Sequence, residues 1–126
     1  MSHQRIKSGS PYEARYGFSR AVRIGDRVVV AGTAPIPPEG EQAAEGAYQQ
    51  MMRCGEIAIA ALAAAGAAPS HVVRTRMFIT DAADGDEIGR AHNELFGSVA
   101  PAATMVVTQL LDPSWKVEIE VEAIVT

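Results

Sequence analysis

The stretch KVEIEVEAIV, residues 116–125, most constrains the fold, because apolar and acidic residues alternate along it with a period of two. Such alternation is typical of a β-strand with one face against a core and the other face outside it. The predicted core face carries Val117, Ile119, Val121 and Ala123, and the opposite face carries Glu118, Glu120 and Glu122. A chain that contains such a strand needs a sheet beside it and a hydrophobic layer on one side.

The rest of the chain supplies further strands and two helices. The sequence predicts a hairpin over residues 16–33 that turns at Gly25-Asp26, and a proline-rich loop over 34–41. The remaining predicted elements are helices over 43–65 and 84–96 and strands over 72–80 and 102–110. The apolar stripe of the first helix consists of Met51, Cys54, Ala58, Leu62 and Ala65.

These elements predict an α+β fold in one domain, residues 1–126, with two helices on one face of a mixed β-sheet. The predicted order is β-β-α-β-α-β-β, and residues 5–8 are a candidate for a short extra strand. The last two strands are candidates for direct pairing. A hydrophobic fraction of 48% in 126 residues is enough for a core.

Charge and composition exclude several classes of partner. The net charge is −4 and no run of Lys or Arg occurs, which disfavours nucleic acid and anionic membranes. No stretch approaches the roughly 18 apolar residues of a membrane span, so we expect a cytoplasmic protein with no membrane partner. The lone Cys54 fits a reducing compartment and is interpreted as a small core residue.

The sequence contains no cofactor or metal motif. Neither GxGxxG nor GxxxxGK[ST] occurs, and the three histidines show no i,i+4 pair, so we expect no cofactor and no metal. The strongest polar signal is the acidic face of the last strand. Glu118 or Glu120 is a candidate for handling a proton or a water, with a solvated strand face as the alternative. His92 is a weaker candidate for a site residue.

Several stretches in order resemble the RidA/YjgF/YER057c/UK114 family. They are YGFSRAVRIGDRVVVAGTAP, an Ala-rich helix that ends in AAAGA, HVVRTRMFITD, AHNELF, PAATMVV and VEIEVEAI. The resemblance implies a chorismate-mutase-like fold and a homotrimer, with a central β-barrel and clefts between subunits. It also implies hydrolysis of 2-imino or 2-enamino acids to 2-keto acids and ammonia, although ribonuclease activity has been attached to some members.

This chain departs from the family pattern where the substrate is bound. The motif arginine that grips the substrate carboxylate corresponds to Ala103, and the family tyrosine in the first hairpin corresponds to Phe18. Ala31 stands where the family has serine, and Thr33 stands where glutamine is common. The carboxylate that places the attacking water matches Glu118, or Glu120 if a short insertion is allowed.

The resulting hypothesis is a RidA-like hydrolase that acts on a neutral or weakly acidic imine, enamine or related metabolite. Glu118 or Glu120 would activate water, Phe18 would form a wall, and Thr33, Thr104 and His92 would donate or accept hydrogen bonds. Arg15, Arg20 and Arg76 are interpreted as surface residues, with entry into the cleft as the alternative. The competing hypothesis is a non-catalytic trimer that binds a small metabolite. Acidic charge argues against a ribonuclease.

Overall fold

The computed structural model describes residues 2–126. Six strands span His3–Ile6 (β1), Ala21–Ile24 (β2), Arg27–Thr33 (β3), Val72–Ile79 (β4), Ala102–Val107 (β5) and Val117–Ile124 (β6). Three α-helices span Pro11–Tyr16 (α1), Ala47–Ala64 (α2) and Gly85–Phe96 (α3). Two 3₁₀ turns, Pro69–His71 and Ala82–Asp84, precede β4 and α3.

The strands form one mixed sheet in the order β1-β2-β3-β6-β4-β5. β4 and β5 are parallel and are joined by the crossover through α3, whereas the other neighbours are antiparallel. The expected direct pairing of the last two strands is wrong, because β6 inserts between β3 and β4. The acidic strand therefore lies inside the sheet, where both of its edges are paired.

One face of the sheet is covered by α2 and α3, as the sequence predicted. The alternating apolar side chains of β6 and the predicted stripe of α2 are all buried in this layer. Ile88, Ala91 and Phe96 of α3 complete it. Cys54 is buried there, and burial raises the pKa of its thiol, so it is a core residue as predicted. No helix within residues 2–126 is long and apolar enough to cross a membrane.

The predicted hairpin is confirmed, with Ile24 paired to Arg27 across the two-residue turn Gly25-Asp26. Gly25 has φ +60°, the left-handed conformation that such turns require. The extra strand is β1, which lies two residues before the predicted position. Helix α1 was not predicted. Ser10 caps it by accepting a hydrogen bond from the Tyr12 backbone, and Gly17 ends it at φ +80°.

A bulge in β3 decides which residues face the helices. Val28 and Val30 point into the core, and the register against β6 then shifts before Thr33 pairs with Ile119. The extra residue turns Thr33 inward and leaves Gly32 on the opposite face beside β6. That opposite face, which α2 and α3 do not cover, carries the glutamates of β6 and the arginines of β4.

Candidate functional site

Glu118 lies on the face of β6 that α2 and α3 do not cover, directly against Gly32 of β3. A Cβ added at Gly32 would lie 3.2 Å from Glu118 Oε1, so glycine leaves the room that this carboxylate occupies. Burial raises the pKa of Glu118, the nearby Arg20 lowers it, and Glu120 raises it further. The net upward shift brings the pKa of Glu118 closer to neutral pH, where a general base is most effective.

Arg20 is the second charged group at this position and is only 8% exposed. Its Nη2 donates to the Gly32 carbonyl oxygen at 2.8 Å, and its guanidinium lies 5.4 Å from the centre of the Phe18 ring. Its buried Nε has no hydrogen-bond partner within residues 2–126. Burial lowers the pKa of Arg20, and the negative charges of Glu13 and Glu118 oppose that shift. The surface interpretation of Arg20 is therefore wrong.

Aromatic side chains from α1 and the loop before β6 form the walls of this region. The rings of Tyr12 and Tyr16 stack with centroids 5.8 Å apart, as expected for residues four apart on a helix. Trp115 meets Tyr12 edge to face at 6.2 Å, with an interplanar angle of 77°. Tyr12 and Trp115 thus form a corner beside Phe18.

Together these groups line a cavity of about 120 Å³, which we call the Glu118 cavity. Its lining residues are Ser10, Tyr12, Tyr16, Phe18, Arg20, Gly32, Ala34, Ile36, Leu111, Trp115 and Glu118. Only Arg20 and Glu118 among them carry a full charge at neutral pH. The cavity is therefore a mainly apolar concavity with one carboxylate and one guanidinium, which suits a small organic molecule.

The structure brings two of the predicted site residues, Phe18 and Glu118, into this cavity. Ala31 and Glu120 instead line a separate groove of about 330 Å³ on the same sheet face. There Arg76 Nη1 lies 3.6 Å from Glu120 Oε1. Thr33 is fully buried and donates to the Ala31 carbonyl oxygen at 2.7 Å. Thr33 is thus engaged in the core of this chain.

The other three predicted residues lie at the β4–β5 side of the sheet. His92 Nε2 and Thr75 Oγ1 are hydrogen-bonded at 2.7 Å, and burial lowers the pKa of His92, which favours its neutral form. Ala103 is paired with Thr75 across the parallel ladder, and Thr104 is paired with Arg76. Within one chain, these residues do not join Phe18 and Glu118 at the Glu118 cavity.

Sequence reasoning missed Tyr12, Tyr16 and Trp115. The first two had a signal, because Ser10-Pro11-Tyr12-Glu13 has the spacing of a capped helix start. No sequence signal beyond its aromatic type marked Trp115, since Trp115 lies in a loop whose path depends on tertiary contacts. Within residues 2–126 no group of three or more His, Cys, Asp or Glu side chains is placed to hold a metal ion.

Replacing Gly32 with alanine should disturb Glu118 without straining the backbone, because Gly32 does not have a positive φ. We expect turnover or ligand affinity to fall by about tenfold, since displacements well below 1 Å already weaken a catalytic geometry. Gly89→Ala is the matched control, because nothing lies within 4 Å of its added Cβ. Gly89→Ala should stabilise α3 by about 0.5–1 kcal/mol and leave function intact. Equal activity of Gly32→Ala and Gly89→Ala would contradict the assignment of Glu118 to the functional site.

Comparison with known proteins identifies relatives over almost the whole chain. A family model described as endoribonuclease L-PSP matches residues 9–125. An uncharacterised protein of Streptomyces coelicolor is 41% identical over 121 residues, which span 95% of this chain and 90% of the relative. A RutC family protein of Sinorhizobium fredii is 34% identical over 104 residues, 82% of each chain.

Solved structures agree with this result. The crystal structure of a YjgF/YER057c/UK114 family member from Mycobacterium tuberculosis matches with a TM-score of 0.89 at 40% identity. That match covers 98% of this chain and 100% of the other. A Rid family protein from Yersinia pestis matches with a TM-score of 0.86 at 25% identity, over 98% of this chain and 100% of its own.

Fold and cavity together define a small α+β protein with an aromatic cavity between α1 and the sheet face that α2 and α3 do not cover. The chain belongs to the YjgF/YER057c/UK114 family, whose members among these relatives also carry the names RutC and Rid. The resemblance seen in the sequence is thereby confirmed.

Proposed function

We propose that this protein is a RidA-like hydrolase that converts a small imine or enamine into a carbonyl compound and ammonia or an amine. The observation that supports it most is the position of Glu118. This carboxylate lines an aromatic cavity, its pKa is raised by burial, and it matches the water-activating carboxylate of the family without a gap. Family membership supplies the precedent for the chemistry.

The reaction requires one base and one water. Ionised Glu118 accepts a proton from water while the water oxygen forms a bond to the imine carbon and the C=N electron pair moves to nitrogen. The proton then passes to that nitrogen, which gives a carbinolamine. Glu118 then accepts the remaining hydroxyl proton and passes it to the nitrogen while the C=O bond forms and the C–N bond breaks, so the carbonyl compound and ammonia or the amine are released and Glu118 is ionised again.

The proposed substrate is neutral or weakly acidic. By the resemblance to the family motif, Ala103 stands where an arginine would bind a substrate carboxylate, and a methyl group makes no such contact. Arg20 does not replace it, because the negative charges of Glu13 and Glu118 already act on its guanidinium. The proposal includes a homotrimer, in which β5 of a neighbouring copy brings Ala103 to the Glu118 cavity.

A matched pair of substrates tests this proposal. An amine oxidase makes propan-1-imine in situ from propylamine, and an amino-acid oxidase makes 2-iminobutanoate, which differs by one carboxylate. We expect the protein to accelerate carbonyl and ammonia release from propan-1-imine more than from 2-iminobutanoate. Ala103→Arg should raise activity on 2-iminobutanoate about tenfold to a hundredfold, because a charge-assisted hydrogen bond contributes about 1.5–3 kcal/mol.

Ala102→Arg is the control, because Ala102 is the neighbour of Ala103 on β5 and points to the opposite sheet face. It should leave 2-iminobutanoate turnover unchanged. Wild-type turnover of 2-iminobutanoate that exceeds propan-1-imine turnover would overturn the substrate assignment. Binding of imines with no acceleration of either substrate would overturn the hydrolase and favour a non-catalytic metabolite-binding protein.

A further inference from the structure

A second concavity, which we call the α2 groove, lies between the end of β1 and one side of α2. Its volume is about 340 Å³, and Ile6, Lys7 and Ser8 line it on the side of β1. Arg20 is the one residue that lines both the α2 groove and the Glu118 cavity. The groove is therefore a distinct concavity that reaches the same buried guanidinium.

The wall that α2 contributes changes from charged to apolar along the helix. It begins with Arg53 and continues through Ile57, Ala60, Ala61 and Ala64. From Arg53 to Ala64 the helix rises by about 16 Å, because each residue adds about 1.5 Å. The groove thus has a cationic end followed by a smooth apolar stretch, which suits a short aliphatic chain with an anionic group at one end.

Cationic side chains of the α2 groove have unused hydrogen-bond donors. Lys7 Nζ donates to the Phe18 carbonyl oxygen at 2.9 Å, and within residues 2–126 it forms no ion pair with a carboxylate. Two of its three protons therefore remain for a ligand. Arg53 Nε donates to the Ile36 carbonyl oxygen at 2.6 Å, and its Nη1 donates to Glu56 Oε1 at 3.2 Å. Arg53 Nη2 has no acceptor among the described residues.

The carboxylates around the groove are already engaged. Glu56 lines the groove, but it is paired within α2 and its side chain is 60% exposed. Glu13 accepts hydrogen bonds from the backbone and hydroxyl of Ser8, and Glu13 and Glu118 offset the charge of Arg20. Three cations thus face three carboxylates, so the groove attracts an anion through its unused donors and not through a net charge. Hydrogen bonds from a cation to an anion are about twice as strong as neutral ones.

We propose that the α2 groove binds a small aliphatic carboxylate, and that the bound anion acts on the Glu118 cavity through Arg20. Lys7 and Arg53 donate hydrogen bonds to the carboxylate, and the aliphatic chain lies along the alanines of α2. The site goes beyond the proposed function, and only its effect on hydrolysis rests on that function.

A bound anion changes the electrostatics of Glu118. The charged and titratable groups that face Glu118 are Arg20, Glu120 and, across the cavity, the phenols of Tyr12 and Tyr16. Burial raises the pKa of Glu118 and Arg20 lowers it. An anion beside Arg20 offsets part of the effect of the guanidinium, so the pKa of Glu118 should rise further. The acid side of the hydrolysis profile should then move to higher pH, which makes the carboxylate an inhibitor under acidic conditions.

Probes of matched shape test the groove without any turnover. Pentanoate, pentan-1-ol and pentylammonium share one chain and differ in charge, and changes in the backbone amide NMR signals locate and measure their binding. We expect pentanoate to bind about tenfold more tightly than pentan-1-ol, and pentylammonium to bind most weakly. Acetate should bind at least about tenfold more weakly than pentanoate, because it lacks three methylene groups. Inorganic phosphate should also bind more weakly than pentanoate.

Variants assign the binding to named groups. Lys7→Met and Arg53→Met should each remove most of the preference for pentanoate over pentan-1-ol. Arg90→Met is the matched control and should preserve that preference, because Arg90 lies on α3 and stacks on the Tyr48 ring outside the groove. Equal affinity for pentanoate and pentan-1-ol, tighter binding of phosphate, or signal changes centred on Trp115 in the other cavity would overturn the site.

The carboxyl ¹³C NMR signal of Glu118, assigned with Glu118→Gln, tests the action through Arg20. We expect the pKa of Glu118 to be about 0.3–1 higher with saturating pentanoate, the size expected for one added charge that does not touch the carboxylate. Arg53→Met at the same pentanoate concentration should show little of this change. An unchanged pKa in the saturated wild type would overturn the action through Arg20.

Neither NMR measurement depends on catalysis, so the two proposals fail separately. Imine hydrolysis without selective binding of pentanoate overturns this inference alone. Selective binding of pentanoate without imine hydrolysis leaves the site in place and overturns the hydrolase.

Discussion

Replacing Glu118 with glutamine is expected to slow imine hydrolysis by about 10²–10⁴-fold, the range associated with loss of a positioned general base. Glutamine keeps the size and the hydrogen-bonding oxygen of the side chain but does not accept the proton of the attacking water. In the wild type, hydrolysis should fall as the pH falls through the pKa of Glu118. Because burial raises that pKa, the acid side of the pH profile should lie above the ordinary glutamate value of about 4.3.

Glu120→Gln is the matched control for this prediction. Glu120 lies two residues along the same strand face but lines the groove beside Arg76, so its loss should change hydrolysis less than threefold, which is about 0.65 kcal/mol. The measurement is the pH profile of carbonyl release for the three proteins. If Glu120→Gln carries the large loss instead, the gap-free match of Glu118 to the family carboxylate is wrong.

Stability measurements test whether the effect of Glu118→Gln comes from unfolding. A carboxylate whose pKa is raised in the folded state contributes stability below its unfolded pKa, and this contribution is lost as the pH rises through the folded pKa. Removing the ionisable group should therefore raise Tm relative to wild type at pH 7 more than at pH 4. An inactive variant that is at least as stable as wild type at pH 7 fits only a functional role.

Regular periodicity was enough to predict the layers of the fold. The alternation along β6 and the stripe on α2 each follow one period over many residues, and both sets of side chains are buried where the period places them. Strand order was not predictable in this way. Insertion of β6 between β3 and β4 depends on long-range pairing, and the pattern of β5 and β6 alone fits direct pairing equally well.

The site was less predictable, because a bulge in β3 and contacts between elements distant in sequence determine where its side chains lie. The β3 bulge turns Thr33 into the core, whereas strict alternation from Arg27 places it outside. Arg20 has the ordinary sequence context of a surface arginine, and the carboxylates whose charges act on it come from an unpredicted helix, with Glu13, and from a distant strand, with Glu118. Glu118 was predicted as one of two candidates, and its placement in the aromatic cavity separates it from Glu120.

Replacing Arg20 with methionine is expected to lower the free energy of unfolding by about 1–3 kcal/mol at pH 7, despite a side chain of similar length. The substitution removes the positive charge that interacts with the negative charges of Glu13 and Glu118, and it leaves the Gly32 carbonyl oxygen without the Arg20 donor. Arg5→Met is the control, because Arg5 is exposed on the edge strand β1 and should change stability by less than about 0.5 kcal/mol. Denaturant unfolding of both variants gives the comparison.

The pH dependence identifies the charge as the cause of this loss. Without Arg20, ionised Glu118 loses the guanidinium that lowers its pKa, so its pKa should rise further. The stability gap between Arg20→Met and wild type should then shrink as the pH falls and Glu118 becomes protonated in both proteins. Arg20→Lys should recover part of the loss at pH 7, since it restores the charge without the geometry of the guanidinium. A gap that stays constant from pH 7 to pH 4, with no recovery by lysine, would mean that Arg20 contributes through packing and not through its charge.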